Sequence, residues 1–227
     1  MLVTVVRVWA RGWIESLYIT PGFHFTYWGF EWVQPWPGLG MYLHFLVLAL
    51  LAACIALGFC YRTATALFFV GFTYVELLDQ AAYLNHYYLI SLLALLMVGL
   101  PLHGAWSLDA WRVPRLRRTT VPRFQLVALR LQVGLVYVFA GLAKLQSDWL
   151  IRAQPLKTWL KAHTEMPLLG PWLGLDVVAQ GMSIAGALFD LSLPFALLWR
   201  VTRVPALVCL VGFHALTGWL FPIGMFP

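Results

Sequence analysis

Charge is what this sequence has least of. Only 11% of its 227 residues are Asp, Glu, Lys or Arg, less than half of the roughly 25% that a soluble domain carries. That leaves too little polar surface to cover a water-soluble globule. Cysteine is also scarce. Cys54, Cys60 and Cys209 lie in or beside apolar runs, and no two have the spacing of a metal knuckle or a redox pair. They read as small buried hydrophobes. Histidines form no HxxxH pair and no His-rich tract, so no metal is expected. There is no internal repeat and no low-complexity stretch. No cleavable signal peptide is expected, because Arg7 and Arg11 stand where its apolar core would be.

What remains is apolar. Hydrophobic residues make up 62% of the chain and twelve are tryptophan, a residue that favours the headgroup level of a bilayer. The mean hydropathy is +0.80. Apolar runs near or above the roughly 18–20 residues needed to cross a bilayer fall at 41–60, 63–79, 85–102, 125–145, 177–199 and 204–221. An earlier run over 2–19 is interrupted by Arg7, Arg11 and Glu15. The pattern predicts an all-α, polytopic transmembrane helix bundle with about six to seven membrane segments. The short turn at Asp79–Asn85 predicts a tight helical hairpin. The stretch 146–175, with Pro155, Pro167, Pro171 and several Trp, reads as interfacial.

The formal net charge of +6 would suggest nucleic acid in a soluble protein; here it points to loop orientation instead. Arg62, then Arg112, Arg115, Arg117, Arg118 and Arg123, then Arg200 and Arg203 lie in alternate loops. Alternating crossings put all three loops on one side, and the positive-inside rule makes that side cytoplasmic. Arg152, Lys157 and Lys161 fall on the other. The 112–123 cluster is either a topology signal or a site for anionic lipid.

Ionisable groups at membrane depth are the candidates for function. Arg130 and Asp190 fall at similar depth and read as a structural ion pair. Glu76 and Asp79 end their run near the outer face, either hydrated or lining a cavity. Lys144 closes its run in AGLAKLQSDW. It is either a snorkelling lysine or, because helical side chains tilt back toward the N-terminus, a desolvated base. Asn85 and His86 open the next hairpin arm in YLNHYYLI; Asn85 suits an N-cap, and the free N–H groups there favour an anion. His214 lies near mid-depth in VGFHALTGWLF. With Tyr83, Tyr87, Tyr88, Trp149 and Phe213 nearby, these groups suit a flat lipophilic ligand on the outer half of the bundle.

Three strings carry a more specific likeness: LGFCYRTATALFFVGFTYVELLDQAAYLNHYYLISLLAL at 57–95, LRLQVGLVYVFAGLAKLQSDWL at 129–150, and LVGFHALTGWLFPIGMFP at 210–227. The weaker HGAWSLDAWR at 103–112 and FDLSLPFALLW at 189–199 follow the same order. Together they resemble the membrane part, the HTTM domain, of the vitamin K-dependent gamma-carboxylase family. The resemblance implies oxygenation of reduced vitamin K, a menaquinol-type naphthoquinone, to its epoxide. That step drives addition of CO2 to a glutamate, so O2 and CO2 are implied co-substrates. The family's catalytic lysine falls on Lys144, its Asn-His pair on Asn85 and His86, and its embedded histidine on His214; Tyr87 joins them as a quinone-binding residue. Where the family has a second lysine, this chain has Ala143. The expected organisation is a single HTTM-like domain over 1–227, with a degraded first helix and without the family's later helices and extracytoplasmic domain, as in a truncated gene product. Expected partners are the bilayer, a lipophilic quinone, and a Glu-containing protein or a separate partner chain, but not nucleic acid. A non-catalytic quinone- or lipid-binding protein and a membrane subunit are the alternative readings.

Overall fold

In the computed structural model, residues 1–167 and 169–221 are described, and every regular element among them is helical. The chain divides into two compact units, with the boundary at Leu129–Arg130.

In the first unit a short helix α1 (Leu2–Ala10) is followed by a π-type turn at Glu15–Ile19. Gly12, at φ +66°, makes the bend between them, a conformation that only glycine adopts without cost. Three longer helices follow: α2 (Gly40–Leu57), α3 (Tyr61–Leu77) and α4 (Asn85–Gly99). α2 packs on α3, and α3 and α4 form the tight hairpin. Their shared core includes Phe45, Leu48, Phe68, Phe72 and Ala94. The turn after α2 is closed from a distance. Asp109, in the short helix α5 (Leu108–Arg112), accepts from the Cys60 and Tyr61 amides at 2.9 Å each. Those are donors that the start of α3 would otherwise leave unpaired.

α6 (Arg123–Ala143) leads into the second unit. Three short helices, α7 (Ser147–Leu150), α8 (Leu156–Lys161) and α9 (Gly170–Leu173), precede two long ones, α10 (Asp176–Leu198) and α11 (Arg203–Leu220). A small core of Leu156, Leu160, Leu173, Ala179 and Leu220 ties the short helices to the long ones.

Four helices, α2, α6, α10 and α11, are long and apolar enough to cross a membrane. At 1.5 Å per residue, α3 and α4 reach about 26 and 23 Å, short of a ~30 Å hydrocarbon core. Among the described residues only four helices therefore have the length and apolarity to cross, and the expected count of six to seven membrane segments is not confirmed. α6 and α11 bury little of themselves against protein. Leu131, Leu135, Phe139 and Leu142 form an exposed stripe on α6, as do Val204, Leu207, Val208 and Val211 on α11. Such faces suit lipid rather than water.

Two expectations are corrected here. Cys60 and Cys209 are exposed rather than buried, and only Cys54 is partly covered. Cys60 belongs to the turn between α2 and α3, at φ +45°, and Cys209 lies on the outward side of α11. Asn85 is not the N-cap of α4. Leu84, extended at φ −133° and ψ 128°, holds that position without a side-chain cap, and Asn85 is the first helical residue.

Candidate functional site

In the second unit the site is built where α6 crosses α10. Gly134, Tyr137, Gly141 and Lys144 recur at the three- and four-residue spacing that puts side chains on one helix face. A Cβ on Gly134 would touch Pro194, and one on Gly141 would sit 2.6 Å from the Leu191 side chain and 3.0 Å from its amide nitrogen. Glycine at 141 is what lets the two backbones approach.

Lys144 follows directly after α6. Its Nζ donates to Asp190 Oδ2 and lies 5.3 Å from the Trp149 ring centroid. The Asp190 side chain is 5% exposed and that of Lys144 is 21% exposed, so the pair is largely shielded. This corrects the expected Arg130–Asp190 pair. Arg130 is exposed and has no ion-pair partner among the described residues. The reason is helix sense. α6 and α10 run in opposite directions, and Gly134 already faces Pro194, so Arg130, one turn earlier, lies farther from Asp190. Lys144, three residues after the Gly141 that meets Leu191, reaches Asp190 instead. Pro194, inside α10, has no N–H to give the Asp190 carbonyl four residues before it.

Beside this pair, Tyr137 Oη and His214 Nε2 are 2.7 Å apart. Phe189 stacks on Phe213 with ring centroids 4.2 Å apart, and Tyr137 meets Phe189 edge-on. The Trp149 indole donates to the Ser183 carbonyl at 2.8 Å, and the Ser183 hydroxyl donates to the Trp149 carbonyl. Trp149 is thus fixed as a wall next to the amine. The expected residues Lys144, His214, Trp149 and Phe213 fall in one unit with Asp190 and Tyr137. Tyr137 escaped the sequence reading, although its place two turns before Lys144 was the available signal.

In the first unit, Asn85, His86 and Tyr87 open α4. Asn85 is exposed, whereas His86 and Tyr87 are half-buried. The His86 ring sits 4.7 Å from the Tyr87 ring, nearly perpendicular, and Tyr87 packs edge-on against Phe72. Tyr18, Glu76, Asp79, Tyr83 and Tyr87 line a crevice of about 10 Å³, room for roughly one water. Burial, then the Glu76 charge, pushes the Tyr83 phenol up. Glu76 accepts from Ser91, while its other oxygen is buried without a partner. Asp79 faces His24 Nδ1 at 3.1 Å and accepts from the Phe25 and Ala81 amides at 3.3 and 2.8 Å. Glu76 and Asp79 thus border a crevice, and they also hold the 20–40 stretch and α4 in place. Among the described residues, no three His, Cys, Asp or Glu side chains come together as a metal cage.

The HTTM domain family model matches residues 1–227, the whole chain. The chain belongs to the HTTM domain family. This domain is associated with vitamin K-dependent carboxylases, so the HTTM assignment ties the membrane bundle to that family. No solved structure matches the HTTM chain significantly. The tail of the 210–227 string, residues 222–227, lies outside the described residues.

The donor set of the second unit fits a reduced naphthoquinone. Such a ligand is a flat aromatic body with an oxygen at each end. The unit offers an amine held by a carboxylate, a Tyr–His pair, and the Trp149, Phe189 and Phe213 rings.

Proposed function

We propose that this HTTM protein is a membrane enzyme of the vitamin K-dependent carboxylase type. Reduced naphthoquinone, when bound, supplies the reducing equivalents: with O2 it yields the 2,3-epoxide and water, and that reaction drives CO2 addition to a glutamate.

Lys144 is the base that takes a hydroxyl proton from the hydroquinone. The observation that carries this reading is the shielded Lys144–Asp190 pair against Trp149, at the family's lysine position. Asp190 makes the assignment chemically coherent. Its carboxylate accepts from Lys144 and holds the amine beside the Trp149 ring, a fixed position for proton transfer. His214, oriented by Tyr137, is assigned to a quinone oxygen; Asn85, His86 and Tyr87 are assigned to quinone binding on the family's pattern. Both compact units are taken as parts of one transmembrane domain, since a single family match runs across them. The Arg62, 112–123 and Arg200–Arg203 loops are assigned to the cytoplasmic side by their positive charge, with the chemistry on the opposite side.

The same pair favours a second reading. A lysine neutralised by Asp190 is also what a purely structural ion pair looks like, and the protein would then bind quinone without turnover. The two readings separate on purified protein supplied with naphthohydroquinone and oxygen. The enzyme reading predicts epoxide from the intact chain and at least about a hundredfold less from Lys144→Ala, the usual scale for loss of a general base. Saturable quinone binding with no epoxide from the intact chain would establish the second reading and exclude the first.

A further inference from the structure

The loop between α4 and α6 concentrates positive charge. Its four arginines, Arg112, Arg115, Arg117 and Arg118, and Arg123 at the start of α6 form no ion pair among the described residues. The one acidic residue between 101 and 123 is Asp109, and both of its oxygens are taken by the Cys60 and Tyr61 amides.

The loop also has shape. A cavity of about 760 Å³ opens in it, lined by Trp106, Trp111, Arg117, Arg118, Thr119 and Thr120 among others. Two arginines of this wall, both exposed, are anchored at their base. The Arg117 Nε donates to the Ala110 carbonyl at 3.0 Å. The Arg118 amide donates to the Gly104 carbonyl at 2.8 Å. The Arg118 stem lies against Gly104 so closely that a Cβ there would come within 3.2 Å.

The rim carries two large rings. Trp111 is 72% exposed and Trp106 fully exposed, at 103%. Trp106 also sits at φ +54°, a conformation uncommon for a bulky residue. A solvent-directed indole on an unusual backbone fits the headgroup level of a bilayer, where an apolar ring and its N–H are both accommodated. The loop ends at α6, which is long and apolar enough to cross a membrane, and this sets its last residues at that level.

We propose that this cavity binds the phosphate headgroup of an anionic phospholipid. Arg117 and Arg118 contact the phosphate, the Thr119 and Thr120 hydroxyls donate to its remaining oxygens, and Trp106 and Trp111 insert beside the glycerol and upper acyl region. Planar guanidinium groups match phosphate oxygens two at a time, which a diffuse positive loop would not require.

The test uses the full chain in mixed micelles, with phosphatidylglycerol and phosphatidylcholine competing and the retained lipid read by native mass spectrometry. The site predicts a preference for phosphatidylglycerol of about tenfold or more, since each basic residue near an anionic surface contributes about a fivefold effect. An Arg117→Gln/Arg118→Gln variant should lose most of that preference, whereas Arg115→Gln, which removes a charge outside the cavity wall, should keep most of it. Inorganic phosphate should not reproduce the effect. A second readout leaves the arginines in place. Brominated phosphatidylglycerol should quench a fluorescence component that Trp106→Phe removes, and brominated phosphatidylcholine should quench it less. Equal retention of the two lipids, equal loss from Arg115→Gln, the same effect from inorganic phosphate, or equal quenching by both brominated lipids would each overturn the proposal.

Discussion

At the scale of single residues, the Lys144–Asp190 pair makes each partner depend on the other. Removing one half of a buried pair strands the remaining charge, typically at a cost of about 3–5 kcal/mol. Lys144 keeps some exposure, so Asp190→Ala is expected near the low end, about 3 kcal/mol. Asp190→Asn keeps the shape and an acceptor oxygen for Lys144 but loses the negative charge. It is expected to fold with a smaller loss of stability and to lower epoxide formation by at least about tenfold, the scale of a charge-assisted contact at a base. Thermal unfolding in detergent alongside product yield checks both outcomes. If Asp190→Asn retained full turnover, the carboxylate would have no part in holding the amine for the reaction.

His103 gives a pH prediction outside the membrane spans. Burial, followed by the charges of Arg62 and Arg118, outweighs Asp109 and lowers its pKa below the ordinary value of 6.5. Its Nδ1 is buried without a partner, and its ring stacks on Tyr61 at 5.0 Å. The folded state thus binds this proton less readily than the unfolded state. The stabilisation it confers is complete above about pH 6.5 and declines as pH falls below that value. Unfolding midpoints measured between pH 5 and 7.5 should fall on the acid side in the native chain, with a shallower slope in His103→Phe. The same slope in both would remove His103 from the explanation.

Residue types at depth were legible in the sequence, and their pairing was not. Lys144, Asp190 and His214 stand out because charge and imidazole are costly among apolar residues. Matching by depth alone joined Asp190 to Arg130. The true partner depends on helix sense and on the Gly141 contact, neither of which depth encodes. Tyr137 and the Glu76–Ser91 contact were passed over for a related reason: neutral side chains carry no depth anomaly.

Among elements, the α6–α10 crossing is the one most open to challenge. A Cβ at Gly141 would be 3.0 Å from the Leu191 amide nitrogen, which is backbone and cannot swing aside. Gly141→Val is expected to destabilise the second unit by about 1–3 kcal/mol through overpacking and to disturb the Lys144–Asp190 contact one turn away. Gly212, in α11, has nothing within 4 Å of a Cβ, so Gly212→Ala should be neutral or slightly stabilising, by up to about 1 kcal/mol from helix propensity. Comparable losses from both variants would mean that the close approach at Gly141 is not what limits it.

Helix positions were largely legible because they follow from runs of apolar residues. The run at 85–102 and the helix Asn85–Gly99 share a start, and the run at 177–199 shifts by one residue at each end. Their membrane status was less so. Composition counts a 15-residue helix and a 23-residue helix alike as apolar runs, whereas only the second has the length to cross. The cap of α4 was misplaced for a local reason, since Leu84 takes the extended conformation that precedes a helix and Asn85 follows it inside.

Taken as a whole molecule, the chain is an integral membrane protein of the HTTM family, linked through it to vitamin K-dependent carboxylation. Composition made the membrane assignment, and ordered motifs made the family assignment. Neither could specify how the amine is held, because that depends on a contact between residues 46 positions apart. Sidedness is a property of the whole chain in its bilayer. Single cysteines placed at Arg115 and at Lys161, with the natural cysteines removed, should label from opposite sides of sealed vesicles, with position 115 reached from the cytoplasmic face. Labelling of both from one side would overturn the proposed orientation.

The most direct measurement of the central claim is epoxide formation by the purified chain from naphthohydroquinone under oxygen, with and without a glutamate peptide and CO2. Lys144→Ala, checked for folding by its unfolding midpoint, is run beside it. The account predicts epoxide from the intact chain and a loss of about a hundredfold or more in the folded variant, as for removal of a general base. Equal epoxide from both proteins would contradict it.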